Sequence, residues 1–418
     1  MRIPENGRVV VIDDKVEEGL PLTIALSKNK IPTIYYSGKL EELPSKPLVG
    51  IRIVFLDIVL GTDGQPPKTQ LATAVNIFKR IINKNNGPYL LIAWTKHPEY
   101  ISAIKTELAD IPPILLLDME KSNCRDTNGN FDIKKIERKI KTALRNLKAF
   151  HLFVLWESLL HKAAGDIVND FSSFYSNDSE WDNNTSSIFF HLARAYLGEK
   201  ADFLKDKEII KNALLTMNSA FIDTIENEIR NYRFSFENIN KNDIANDVRA
   251  RINKKLLLYF ERNLVSAEPG NVYKSSRKLG GHLNVGELFS DNKLDTYLQK
   301  ADLISKAKFI FLEVSPPCDY AQNNLRIHRC LWGVMWPIEH AKKIKKGDFI
   351  YTTPLLEIDG KFYKLVFNMR YLMSMPIRDL QNKKALFRIR HDMLTDIQSH
   401  MARHVNRPGI VSVNEKKT

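Results

Sequence analysis

What the chain has little of narrows the field first. It carries three cysteines, Cys124, Cys318 and Cys330. They are too few for a disulfide framework, so a reducing, cytosolic home is expected. No run approaches the roughly eighteen uninterrupted apolar residues of a membrane-spanning helix; the longest candidates, such as that at 53–60, are of strand length. The opening residues MRIPENGR lack the basic-then-apolar layout of a secretion signal. There is no internal repeat and no low-complexity tract, which leaves ordinary globular domains.

What is there fits that class. Hydrophobic residues make up 44% of the chain and charged residues 27%, and 418 residues are too many for one core, so two or three domains are expected. The formal charge of +13 is unevenly placed: residues 270–418 hold 25 Lys and Arg against 14 Asp and Glu, while residues 126–269 hold equal numbers of each sign. A basic excess confined to the last third points to an anionic partner, DNA or RNA first, with plain solubility as the competing explanation.

Apolar runs at 8–12, 32–36, 51–56, 89–94 and 114–117 alternate with amphipathic stretches at 16–29, 69–84 and 98–109. That alternation predicts a parallel α/β sheet. The turn-rich NCRDTNGN (123–130) marks a boundary. Residues 132–262 read as nearly all helix, broken by the polar SNDSEWDNNTSS. A second boundary, AEPGNVYKSSRKLGG (267–281), precedes short β-type runs at 309–314, 347–367 and 370–376. Asp359-Gly360 within them is a hairpin signal. An amphipathic helix at 389–405 closes the pattern. The expected domains are therefore 1–125 (α/β), 126–269 (all-α connector) and 270–418 (basic α+β effector).

Asp13 and Asp14 end the first predicted strand and Asp57 ends the third. In a doubly wound sheet the carboxyl ends of neighbouring strands open into one crevice, where these carboxylates would converge. Three acids close together attract a hard divalent cation such as Mg²⁺, which offsets repulsion between a carboxylate and an incoming phosphoryl group.

The segments VVVIDD (9–14), FLDIVLGTDG (55–64) and LIAWTK (91–96), in that order, resemble the receiver domain of response regulators. The resemblance covers about 30% of the chain and implies a flavodoxin-like, five-stranded doubly wound sheet. It further implies Mg²⁺ on Asp13, Asp14 and Asp57, phosphorylation of Asp57, and Thr95 as the switch residue. The family's fifth strand ends in Lys-Pro; here the segment is ILLLDMEKS, with Asp118 near the expected place. Lys121 from the following loop, Lys96, or no lysine at all are the alternatives for the phosphate partner. A receiver that folds and binds partners without being phosphorylated stays open beside the active one.

In the last third, VSPPCDYAQ (314–322) places Cys318 and Asp319 on a turn after a strand. That position suits a nucleophile, a metal ligand or a structural thiol. With His328 and Cys330 they form a conceivable zinc set, although neither CxxC nor HxxxH spacing is present. On the closing helix Asp392, Asp396, His400 and His404 recur every four residues, read either as an acid–imidazole stripe or as a solvated face. The whole layout resembles the response-receiver proteins of bacterial conflict systems. This implies a signalling role in antiphage defence and a histidine kinase or GHKL-type ATPase as partner. The alternatives are a hydrolase or nuclease using Cys318 and Asp319, and an adaptor for an ATPase.

Overall fold

The computed structural model describes residues 8–61, 64–94, 100–145, 147–176, 179–234, 239–260, 264, 267–275, 307–321, 325–339 and 347–405. They form two compact units, one made of residues up to 168 with 224–239, the other of 169–223 with those from 240 onward. Among the described residues no helix is long and apolar enough to cross a membrane.

The first unit is built on five short strands: β1 (Val9–Ile12), β2 (Thr33–Tyr36), β3 (Ile53–Leu56), β4 (Leu90–Ala93) and β5 (Leu115–Asp118). All pair in parallel, in the order β2-β1-β3-β4-β5, and each lies within two residues of its expected place. Both faces are covered, which is why the three central strands, β1, β3 and β4, are continuously apolar. Val10, Ile12, Val54, Leu56, Leu91 and Ala93 point to one face, against α2 (Pro67–Ile81) and α3 (Ile101–Glu107). Val9, Val11, Phe55, Leu90 and Ile92 point to the other, against α1 (Val16–Lys28), α4 (Ile133–Leu144) and Phe150 of α5 (Lys148–Ser172). Each such buried aliphatic side chain contributes about 1.5–3 kcal/mol. The arrangement fits a flavodoxin-like, receiver-type fold.

Two details depart from expectation. Helix α2 starts earlier and ends sooner than 69–84, because Pro67 suits a first helical position and Ile82 leaves the helix to bridge Leu48. The face covered by α4 is closed by Phe131, Ile133, Ile136 and Leu144, all beyond the NCRDTNGN turn. Between β2 and β3 stands only a three-residue 3-10 turn, Leu40–Glu42.

The second unit holds an antiparallel sheet in the order β10-β12-β9-β8-β7-β13-β6, with β11 pairing β12. Its strands are β6 (Leu258–Tyr259), β7 (Asn271–Lys274), β8 (Lys308–Glu313), β9 (Ile327–Pro337), β10 (Ile350–Thr352), β11 (Leu356–Ile358), β12 (Lys361–Pro376) and β13 (Ala385–Ile389). Asp359 (φ 53°) and Gly360 (φ 73°) form the expected hairpin turn between β11 and β12. The runs expected at 347–367 and 370–376 meet in the single long strand β12, whose register shifts between Phe367 and Leu372. Strand β9 was not expected. Gly333 lets it approach β12, since a Cβ there would lie 2.6 Å from Val366 O.

Helices α6 (Trp181–Leu197), α7 (Asp206–Asn231) and α8 (Asn246–Leu257) account for the rest of the helical stretch. Together with α4 and α5 they are divided between the two units rather than gathered into a third. A short helix α9 (Pro317–Ala321) follows β8, α10 (Ile377–Gln381) follows β12, and α11 (His391–Val405) closes the described chain, burying Met393, Leu394 and Ile397.

Candidate metal centre

Parallel pairing sets Ile12 beside Leu56, so the residues that follow them emerge side by side at the carboxyl edge of the sheet. Asp57 N donates to Ile12 O at 2.8 Å and Asp13 N to Tyr36 O at 3.1 Å, which fixes both backbones. Asp13, Asp14 and Asp57 each present a carboxylate oxygen, and these oxygens lie within 4.8 Å of one another. Asp13 and Asp57 are buried and Asp14 is half-buried.

Short local bonds orient the three acids. Lys15 N donates to Asp13 Oδ1, Val59 N to Asp57 Oδ1, and Gly61 N to Asp14 Oδ2. Asp14 Oδ1 is buried and has no hydrogen-bond partner among the described residues. A buried carboxylate oxygen without a donor is what a cation would satisfy.

Lys121 enters this pocket from the loop after β5, and its ammonium is buried. Nζ lies 2.6 Å from Asp57 Oδ2, 2.8 Å from Asp13 Oδ2 and 2.5 Å from Glu18 Oε2. Asp118, which ends β5, is exposed; Met119 turns inward, Glu120 outward and Lys121 inward again. Among the three alternatives for the lysine, the geometry brings Lys121 to the acids. Thr95 and Lys96 lie outside the described residues.

The electrostatics follow from burial. Desolvation pushes the Asp13 carboxyl up to about 6, against the pull of Lys121 and with the help of the Asp57 charge. Burial lowers the tendency of Lys121 to stay charged, but Asp57 and Asp13 outweigh it and hold the ammonium protonated. Burial raises Glu18, yet its bond to Lys121 brings it below the usual range. Four carboxylates around one ammonium leave a formal excess of three negative charges. The donor set is all oxygen, half-enclosed and over-negative, and it fits a hard divalent cation. Beside it a cleft of about 900 Å³ opens between the β2–β3 connection and α2, lined by Asp14, Ser37, Lys39, Gly61, Asn76 and Arg80.

The C-terminal candidates are arranged differently from the sequence expectation. Cys318 is exposed on α9, 3.9 Å from Asp319 Oδ1. His328 and Cys330 are buried on β9, where His328 Nδ1 faces Glu313 Oε1 at 3.0 Å. The four zinc candidates are not brought together; among the described residues the only group of three or more potential ligands is Asp13, Asp14 and Asp57. A cleft of about 1090 Å³ in this unit is lined by Pro317, Tyr320, Tyr259, Arg388, Arg390 and His391, among others, but not by Cys318 or Asp319. On the closing helix, Asp396 accepts from Tyr351 Oη at 2.7 Å and the His400 ring bonds Asp348 O at 2.9 Å. These bonds tie Asp396 and His400 to neighbouring segments of the same unit.

Two site residues escaped the sequence reading. Glu18 looked like an ordinary acidic residue of a helix first turn. Glu313 carried a usable signal, a lone carboxylate inside the apolar run FIFLEV. No protein-family model matches the chain, and no curated protein matches it significantly.

Proposed function

We propose that the first unit is a phosphoacceptor module of the receiver type, with Asp57 as the acceptor and Mg²⁺ on Asp13, Asp14 and Asp57. The observation that carries this reading is the buried Lys121 ammonium 2.6 Å from Asp57 Oδ2, beside the three converging carboxylates. When bound, the divalent cation neutralises charge on the phosphoryl oxygens. Asp57 Oδ2 forms the new P–O bond as the donor's P–N bond breaks. The electron pair stays on the donor imidazole, which takes a proton from solvent. Lys121 then passes from the Asp57 oxygen to a phosphoryl oxygen, keeping its charge. Backbone bonds to Asp13, Asp14 and Asp57 hold the oxygens in place, so little reorganisation is needed.

A histidine kinase or a GHKL-type ATPase is the expected donor or partner. The basic C-terminal segment serves as the output, contacting DNA, RNA or a protein within a bacterial defence module. The exposed Cys318 and the burial of His328 give a hydrolase at VSPPCD no support.

The test is direct. Purified protein with Mg²⁺ and a phosphorylated histidine donor should acquire a hydroxylamine-labile phosphoryl group. Asp57→Asn, nearly equal in volume, should abolish it and keep the fold. Labelling that survives Asp57→Asn, or that never forms, would leave an unphosphorylated adaptor as the better reading.

A further inference from the structure

Lys121 lies three residues past Asp118, the end of β5. Its ammonium reaches the pocket on a flexible four-carbon stem from a loop, not from a strand end. An ammonium has three protons, and this one meets three carboxylates, Asp13, Asp57 and Glu18. Two of them, Asp13 and Asp57, belong to the converging oxygens that a cation and a phosphoryl group would occupy. Glu18 does not. It comes from the first turn of α1 and approaches Lys121 from the helix side.

Helix α1 is held hard against the pocket. Gly19 leaves no room for a side chain, since a Cβ there would lie 2.9 Å from the Asp13 Cβ and overlap the Tyr35 ring. Tyr35 Oη in turn donates to Asp13 O at 2.7 Å. The first turn of α1, and with it the backbone of Glu18, is therefore held close to Asp13.

We infer that Glu18 is a positioning residue for Lys121. It retains one ammonium proton when the Asp57 oxygens are taken, so that the others stay aimed at the phosphoryl group. It supplies from the helix the constraint that a lysine on a rigid strand end would not need. This rests on the phosphoacceptor reading of Asp57.

The experiment uses the full chain with saturating Mg²⁺ and beryllofluoride as the phosphoryl probe, followed by ¹⁹F NMR. Glu18→Gln should weaken beryllofluoride binding about tenfold or more, the size expected for losing a charged hydrogen bond. In a Lys121→Met background the same substitution should change nothing further, because Glu18 acts only through the lysine. An equal loss in both backgrounds, or none in the wild type, overturns the inference. A second readout stands apart from both the probe and the fold of Lys121→Met. The Lys121 ammonium should give a slowly exchanging ¹H–¹⁵N signal in the wild type that is lost in Glu18→Gln. A signal unchanged by that substitution overturns the inference even if no beryllofluoride binds. A wild type that binds no beryllofluoride counts against the phosphoacceptor reading itself.

Discussion

His328 Nδ1 lies 3.0 Å from Glu313 Oε1, and both side chains are almost wholly buried between β8 and β9. Glu313 also accepts from Ser315 N, and Ser315 Oγ accepts from Arg329 N at 2.9 Å, so the pair anchors the start of the VSPPCD turn. Removing one partner of such a pair leaves the other buried and unmatched. Glu313→Ala should destabilise the second unit by about 3–5 kcal/mol, read as a lower urea midpoint. Burial is the first cause that raises the Glu313 carboxyl above its usual value. An acid raised in the fold contributes stability below its unfolded value and loses it as pH rises through the folded one. Glu313→Gln should therefore flatten the fall in stability on the alkaline side of the ordinary glutamate range. A variant with the same pH profile as the wild type would rule out this role.

The three cysteines should separate cleanly by reactivity. Cys318 is exposed, whereas burial pushes the Cys330 thiol up to about 12 and raises Cys124 as well. Only thiolate reacts with alkylating reagents, so native protein should take up one equivalent of reagent and denatured protein three. Rapid native labelling of Cys330, mapped by mass spectrometry, would contradict the placement of β9.

The parallel sheet was legible because its strands are apolar on both faces and their spacing matches α/β alternation. The Asp359-Gly360 turn was legible for an equally local reason, the left-handed backbone that both positions adopt. Strand β9 was not, because His328, Arg329 and Gly333 interrupt its apolar run, and each is explained only by a partner on another strand. The three acids were legible from strand ends alone. The entry of Lys121 depends on how the chain bends at Met119 and Glu120, and its bond to Glu18 joins residues 103 apart. Such a contact leaves no trace in local pattern.

If the basic C-terminal segment contacts nucleic acid, affinity must respond to salt by counterion release. With three to five phosphates neutralised, binding of the full chain to a labelled oligonucleotide should fall by about 40- to 500-fold between roughly 50 and 200 mM salt. Fluorescence anisotropy at several salt concentrations gives the slope. No binding at the lowest salt, or a flat response, would remove DNA and RNA from the list of partners.

The acidic pocket should make the cation-free protein sensitive to pH in a particular direction. Burial pushes Asp13 up to about 6 in the fold, against about 3.8 in the unfolded chain. The folded state then binds the proton more tightly, so the contribution of Asp13 to stability is greatest below about 3.8 and is lost as pH rises through about 6. The full difference is on the order of 3 kcal/mol. In the absence of divalent cations, Asp13→Asn should accordingly stabilise the protein more at pH 7.5 than at pH 5, measured by thermal unfolding in chelator. Saturating Mg²⁺ should reverse the order at pH 7.5, because the cation stabilises only a protein that keeps its ligands. A wild type whose midpoint does not respond to Mg²⁺ while Asp13→Asn is unchanged between the two pH values would show that the three carboxylates hold no cation.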